Sequence, residues 1–118
     1  MHDIIKDSKS FLEGQIILID KPLGWTSFHV VKKIRYLLKE KYGLKKIKVG
    51  HAGTLDPLAT GLLIVCTGKF TKKITAIQNL KKVYTGIITL GGTTPSYDLE
   101  TEINTVFNTN HITKQLIQ

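Results

Sequence analysis

Gly50-His51-Ala52-Gly53-Thr54-Leu55-Asp56-Pro57-Leu58-Ala59-Thr60-Gly61 is the stretch around which the 118-residue chain is organised. Three glycines and a proline in twelve residues mark a loop. Short apolar runs flank it, Ile47 to Val49 before and Leu62 to Cys66 after, and both have the length and branched side chains of strands. Within the loop stands a single acid, Asp56, followed by a proline that restricts its backbone.

The surroundings of Asp56 are basic. Seventeen Lys and Arg outweigh nine Asp and Glu, for a formal net charge of +8. Fourteen of the seventeen fall within residues 21 to 82, where Glu40 and Asp56 are the only acids. A balance of this kind favours a polyanionic partner or an anionic membrane surface. Nearby cations favour the charged form of an acid, so Asp56 is expected to be ionised, available as a nucleophile or as an ion-pair partner. Spacing alone favours a third role, loop capping, because Asp in glycine-rich loops commonly hydrogen-bonds its own backbone.

Composition narrows the class. With 42% hydrophobic and 22% charged residues the chain reads as one soluble globular domain, neither a disordered tail nor a multi-domain assembly. The single cysteine, Cys66, forms no internal disulfide, lies in an apolar run and reads as core, which points to a reducing compartment. No Cys and His cluster has zinc-ligand spacing, so no metal is expected. The apolar runs fall far short of the ~20 residues of a spanning helix, and Met1 to Ser10 lacks the apolar core of a secretory signal. A cytoplasmic protein without a membrane partner is the expectation. Gly61 to Thr71 fails as a phosphate loop, with six residues instead of four before Gly68-Lys69 and Phe70 in place of the hydroxyl residue. His51 and Asp56 lack the serine on a nucleophile elbow that a hydrolase triad needs.

Outward from the loop, residues 1–13 show little periodicity and are expected to form a flexible arm. Gln15 to Asp20 suits a buried strand, broken by Lys21-Pro22-Leu23-Gly24. Thr26 or Ser27 can cap a helix over 26–42 in which Val30, Val31, Ile34, Leu37 and Leu38 recur at helical spacing and which Gly43 ends. Its other face, Lys32, Lys33, Arg35, Lys39 and Lys41, reads first as solvated surface and second as an RNA contact. Phe70, Ile74 and Ile77 predict a helix over 69–79, and the branched residues of Lys81 to Leu90 predict a strand with Tyr84, Ile88 and Leu90 on one face. Ile112 to Gln118 begins a capped helix and stops after about one turn, which reads as a chain cut short.

Asp20-Lys21-Pro22-Leu23-Gly24-Trp25-Thr26-Ser27, the stretch Lys48 to Gly61, and Lys82-Val83-Tyr84 leading to Leu90-Gly91 together resemble the TruB family of pseudouridine synthases, in the family's order and over roughly residues 14 to 117. Ala52 and Leu58-Ala59 are similar to the bacterial, tRNA-modifying branch. The resemblance implies an α+β pseudouridine synthase fold with a mixed, largely antiparallel sheet and flanking helices. Residues 14–118 then form the N-terminal part of the catalytic domain, without its C-terminal part or an RNA-binding domain. It further implies an isomerase, an intramolecular transferase that converts uridine 55 in the T loop of tRNA to pseudouridine. No cofactor or metal is used, the target base is flipped out, and the full-length enzyme is a monomer.

By that resemblance Asp56 is the catalytic aspartate, attacking either C6 of the base or C1′ of the ribose. Tyr84 is the active-site tyrosine packed against the target base, and His51 contacts RNA around the flipped nucleotide. Gly53 and Thr54 shape the loop, while Lys21 and Pro22 brace it. Downstream the family's Thr-x-Thr-x-Asp pattern stands as Thr94-Pro95-Ser96-Tyr97-Asp98, with Thr101 where a glycine is usual. Family members are two or three times this length, and the missing half supplies a basic partner for the aspartate. The alternative is therefore a catalytically incomplete fragment that acts only as a basic module binding structured RNA.

Overall fold

The computed structural model describes residues 7–118. The chain divides after Lys81 into two units, each described here by itself. In the first, three strands form an antiparallel sheet in the order β1-β3-β2, with β1 Ile16–Lys21, β2 Val49–Ala52 and β3 Gly61–Thr67. The apolar run of β3 is central: Ile17 faces Val65 and Ile19 faces Leu63 on one side, while His51 faces Val65 on the other. Because β2 and β3 are antiparallel neighbours in sequence, the glycine-bounded stretch between them is the eight-residue connection of a hairpin.

Alternation along the strands sorts the side chains by face. Leu63 and Val65 are buried with Val30, Val31 and Leu38 of helix α2, Ser27–Tyr42, and Ile17, Ile19 and Ile34 pack against that cluster. The opposite face is open at the β1 end, where Leu18 is 66% and Leu62 is 62% exposed. Toward its other end it is covered: a 3-10 turn, Gly68–Lys73, leads into α3, Ile74–Gln78, which packs on β2. The expected helix over 69–79 is thus split in two. Cys66 is fully buried, and burial pushes its thiol above the ordinary value of 9.0, opposed by the charge of Lys73.

Helix α2 follows its sequence signals at both ends. Thr26 caps it by accepting from the His29 amide at 3.1 Å, the His29 ring accepts from the Thr26 amide, and Gly43 ends it in the left-handed conformation. Leu37, expected on the buried stripe, is half exposed instead. It stands about 100° around the helix from buried Leu38, outside the arc the sheet covers.

Two further expectations need correction. Of the flexible arm proposed for 1–13, residues 1–6 lie outside the described residues, but Ser8–Glu13 is a helix, α1. Asp7 caps it by accepting from the Ser10 amide at 2.8 Å, and Phe11 joins the core. Buried Thr67 fastens this helix to β3: its hydroxyl donates to the Phe11 carbonyl at 2.9 Å and accepts from the Gln15 amide at 3.1 Å. The strand expected over Lys81 to Leu90 does not form. Val83, Ile87 and Ile88 are more than four-fifths exposed, and no strand among the described residues pairs with this segment. Strand propensity needs a neighbour to satisfy the backbone and bury the side chains.

The second unit holds a short antiparallel pair, β4 Gly92–Thr93 with β5 Thr105–Val106, and a single helical turn, α4 Lys114–Ile117, capped by Thr113. Between β4 and β5 the Thr94-to-Asp98 turn closes on Asp98. The Ser96 hydroxyl donates to its carboxylate at 2.6 Å and the Glu100 amide at 2.9 Å. Both bonds favour the carboxylate and hold Asp98 below its ordinary 3.8. A folded value below the unfolded one means stability that is present above pH ~3.8 and lost as pH falls through the folded value. The Asp98 carboxyl resonance is expected to titrate below 3.8 by NMR, and Asp98→Asn to erase that acid-side loss in the turn.

The two faces of the sheet also differ in what a deletion costs. Leu63→Ala removes a fully buried side chain and is expected to lower unfolding free energy by about 2–5 kcal/mol. Leu18→Ala on the open face changes it by less than about 1 kcal/mol. Urea unfolding followed by circular dichroism checks the contrast, and equal costs would contradict this burial.

Candidate active site

The β2–β3 connection, residues 53–60, is too long for a tight hairpin turn and is held from outside. Ser27, at the start of α2, is its main clamp. The Ser27 hydroxyl accepts from the Leu55 amide at 2.9 Å and donates to the Leu55 carbonyl at 3.2 Å, so one side chain satisfies both backbone groups of one loop residue. Thr26 serves the helix as its cap, which leaves the Ser27 hydroxyl for the loop. A second clamp comes from the turn before α2, where the Gly24 amide donates to the Pro57 carbonyl at 2.7 Å.

Lys21 fixes that turn. Its side chain is only 1% exposed, and its ammonium donates to the carbonyls of Pro22 at 2.9 Å and Trp25 at 2.6 Å. Its Cα also faces Gly61 across the sheet, at the end of the loop. Lys21 thus ties together the turn whose Gly24 holds Pro57, and its charge is turned inward. Two positive-φ glycines bend the loop at its margins, Gly53 at +95° and Gly61 at +118°, a region that side chains bearing a Cβ rarely enter.

Inside the frame, the Asp56 carbonyl accepts from the Ala59 amide at 2.9 Å, closing a turn with Pro57 at its second position. Asp56 is exposed. Among the described residues no hydrogen bond or ion pair engages its carboxylate, so the loop-capping role favoured by spacing is not the one it plays. The backbone carbonyl closes the turn, and the side chain is left outside it. His51, half buried at the end of β2, lies 2.8 Å through Nδ1 from the Gly53 carbonyl. A carbonyl only accepts, so Nδ1 donates and Nε2 is the ring's other polar atom. Thr54 is exposed on the same loop.

Lys21, Pro22, His51, Gly53, Thr54 and Asp56 thus share one framework in the first unit. Tyr84 belongs to the second, in the extended segment before β4, with its side chain 69% exposed. Ser27 and Gly24 were not singled out as loop supports from sequence. Ser27 was legible only as a possible helix cap, and Gly24 only as a strand breaker. Among the described residues no group of three or more His, Cys, Asp or Glu is arranged to hold a metal ion, and no helix is long and apolar enough to cross a membrane.

The first unit thus presents an exposed aspartate on a clamped, glycine-bounded loop, and comparison with known proteins shows the family. A model of the TruB family pseudouridylate synthase N-terminal domain matches residues 39–118, which include both Asp56 and Tyr84. A Flavobacterium johnsoniae protein named tRNA pseudouridine synthase B is 64% identical over 110 residues, covering 92% of this chain and 48% of that protein. Proteins of the same name from Phocaeicola vulgatus and Chloroherpeton thalassium are 58% and 60% identical, covering 92% and 89% of this chain and 46% and 43% of their own. The chain belongs to the TruB family, within its N-terminal domain, and spans about half the length of these curated relatives.

The clamp has a measurable weight. Ser27→Ala leaves the Leu55 amide and carbonyl without their partner and is expected to cost about 1–3 kcal/mol of stability. An unchanged urea midpoint for Ser27→Ala would show that the loop does not depend on the hydroxyl.

Proposed function

We propose that this polypeptide is the N-terminal part of a tRNA pseudouridine synthase that isomerises uridine 55 in the T loop of tRNA to pseudouridine in the cytoplasm, as a monomer when full length. The observation that supports this most directly is Asp56: exposed, with a carboxylate that has no hydrogen-bonded partner among the described residues, and fixed by a turn that uses its backbone. A nucleophile must be held in place without being consumed by its own support. The relatives' names supply the substrate class.

In this reading the target uridine flips out of the RNA and the Asp56 carboxylate attacks either C6 of the base or C1′ of the ribose. The N1–C1′ bond breaks, the base turns, C5 bonds to C1′, and the bond to the Asp56 oxygen breaks to return the carboxylate. The C5 proton leaves and N1 takes up a proton, so the reaction is an isomerisation that needs no cofactor or metal. Tyr84 packs its ring on the base, and its hydroxyl helps remove the C5 proton. Stacking worth ~1–3 kcal/mol offsets much of the few kcal/mol that flipping costs. His51 contacts the RNA beside the vacated position and keeps the T loop open, while Gly53 and Thr54 let the strand approach. Lys21 and Pro22 act at one remove, by holding the loop.

A second reading has its own support. The exposed segment Val83 to Ile88 surrounds Tyr84 with unburied apolar side chains, and the chain spans only half the length of its relatives. On that reading the chain binds structured RNA through its basic face and catalyses nothing by itself.

Tritium release from T-stem-loop RNA labelled at uridine C5 separates the two. Release by the chain, reduced at least about 10³-fold by Asp56→Asn with binding retained, is the expected result. Wild-type release by Asp56→Asn would falsify the assignment of the nucleophile. Binding without release by either protein favours the RNA-binding module.

A further inference from the structure

The outward side of α2 has a groove that the proposed chemistry leaves unused. Trp25, His29, Lys32, Lys33 and Tyr36 line it, a shallow, largely open depression of about 440 Å³. The buried side of the helix is already occupied by Val30, Val31 and Leu38 against the sheet, so these rings have no core to enter. Phe28 and Tyr36 are more than half exposed and Trp25 is 38% exposed. Each ring has a polar companion. The Lys32 ammonium lies 5.5 Å over Phe28, that of Lys33 lies 5.5 Å over Tyr36, and Trp25 meets His29 edge-on at 6.4 Å.

Lys41 over Tyr42 and Lys73 over Phe70 share this ring contact, but three other cations of the same unit are tied into the fold. Lys21 donates to two backbone carbonyls, Arg35 donates to the Val49 carbonyl at 2.9 Å, and Lys69 pairs with Glu13 at 3.0 Å. Among the described residues neither Lys32 nor Lys33 is paired with a carboxylate. The groove also starts at the candidate site: Gly24 is bonded to Pro57 of the loop, and the carbonyl of Trp25 is bonded to Lys21. From His29 to Tyr36 it runs about 10 Å along the helix, at 1.5 Å per residue, with Trp25 just before the helix start.

We propose that this side of α2 is a second RNA-binding surface, which takes unpaired nucleotides continuing from the strand engaged at Asp56. Bases stack on Trp25, His29 and Tyr36, and Lys32 and Lys33 meet the phosphates between them. The proposal rests on the chain acting on RNA and adds to that reading where the strand goes after the site. Rings alternating with ammonium groups fit the alternation of base and phosphate in a single strand. A membrane surface would call for a continuous apolar face, which Lys32 and Lys33 interrupt.

Trp25 is the only tryptophan of the chain, so its emission reports on the groove directly. Titration with an unstructured oligouridylate and with the T-stem-loop RNA is expected to quench it, whereas a blunt RNA duplex leaves it unchanged. In fluorescence anisotropy, Lys32→Gln with Lys33→Gln is expected to weaken single-strand binding about tenfold and to flatten the log-log salt dependence by about 1.4. Tyr36→Ala is expected to weaken it at least about fivefold. Lys45→Gln with Lys46→Gln removes the same charge outside the groove and is expected to have a smaller effect. Thermal melts of each variant confirm that it is folded.

Equal losses from the two lysine pairs, equal quenching by duplex, no quenching at saturation, or no binding of single strands would each overturn the proposal. Its failure is separable from failure of the catalytic reading. Quenching and lysine effects without tritium release leave the surface standing, whereas Asp56-dependent release with no effect of Lys32 and Lys33 leaves the chemistry standing alone.

Discussion

The exchange of two hydrogen bonds between the Ser27 hydroxyl and the backbone of Leu55 is the constraint on which the candidate site depends. An eight-residue hairpin connection has too much conformational freedom to hold a side chain in one place by itself. Ser27 borrows the rigidity of α2, which is in turn seated on the sheet by Val30, Val31 and Leu38. The gain per bond is modest, about 0.5–1.5 kcal/mol net, and matters less than the direction it imposes. Once Leu55 is fixed, Asp56 is one residue away and Pro57 is held by Gly24. The aspartate can then be left with nothing to do inside the fold.

The same reasoning explains what Lys21 does. A buried ammonium is costly unless its protons find acceptors, and the Pro22 and Trp25 carbonyls supply them. Lys21, one of the fourteen cations between residues 21 and 82, is an internal tie of the first turn. Net charge therefore overstates the cationic surface offered to a polyanion, and the outward lysines of α2 are a larger share of it than the count of seventeen suggests.

Much of the fold was legible because its signals are local. The periodicity of Val30, Val31, Ile34 and Leu38, with Thr26 and Gly43 at the ends, defines α2 without reference to any other part of the chain. The apolar runs of β1 and β3 are read the same way, and the glycine-bounded loop between β2 and β3 is where the sequence places it. Non-local facts were less legible. That Ser27 meets Leu55 across 28 positions has no signature in either residue, and Thr26 and Ser27 are interchangeable as caps until one is seen to be engaged elsewhere. Helix α1 was missed because its tie to the core is one residue, Phe11, too few to make a period. Lys81 to Leu90 has strand propensity and no strand, because propensity describes a fit to a neighbour that the described residues do not supply. The role of Asp56 inverted expectation: the loop is closed by its carbonyl, a group every residue has, so spacing could not reveal that its side chain is spared.

The topology of the sheet bears on the order in which this framework assembles. The β2–β3 hairpin is a local structure, whereas β1 reaches β3 only by bringing Lys21 to Gly61 across about forty residues. Loop-closure entropy makes the second event the slower one. The hairpin ends can therefore meet while their connection is still unrestrained. Ser27 and Gly24 arrive only with β1 and α2, so the geometry around Asp56 is completed by the last long-range step of folding.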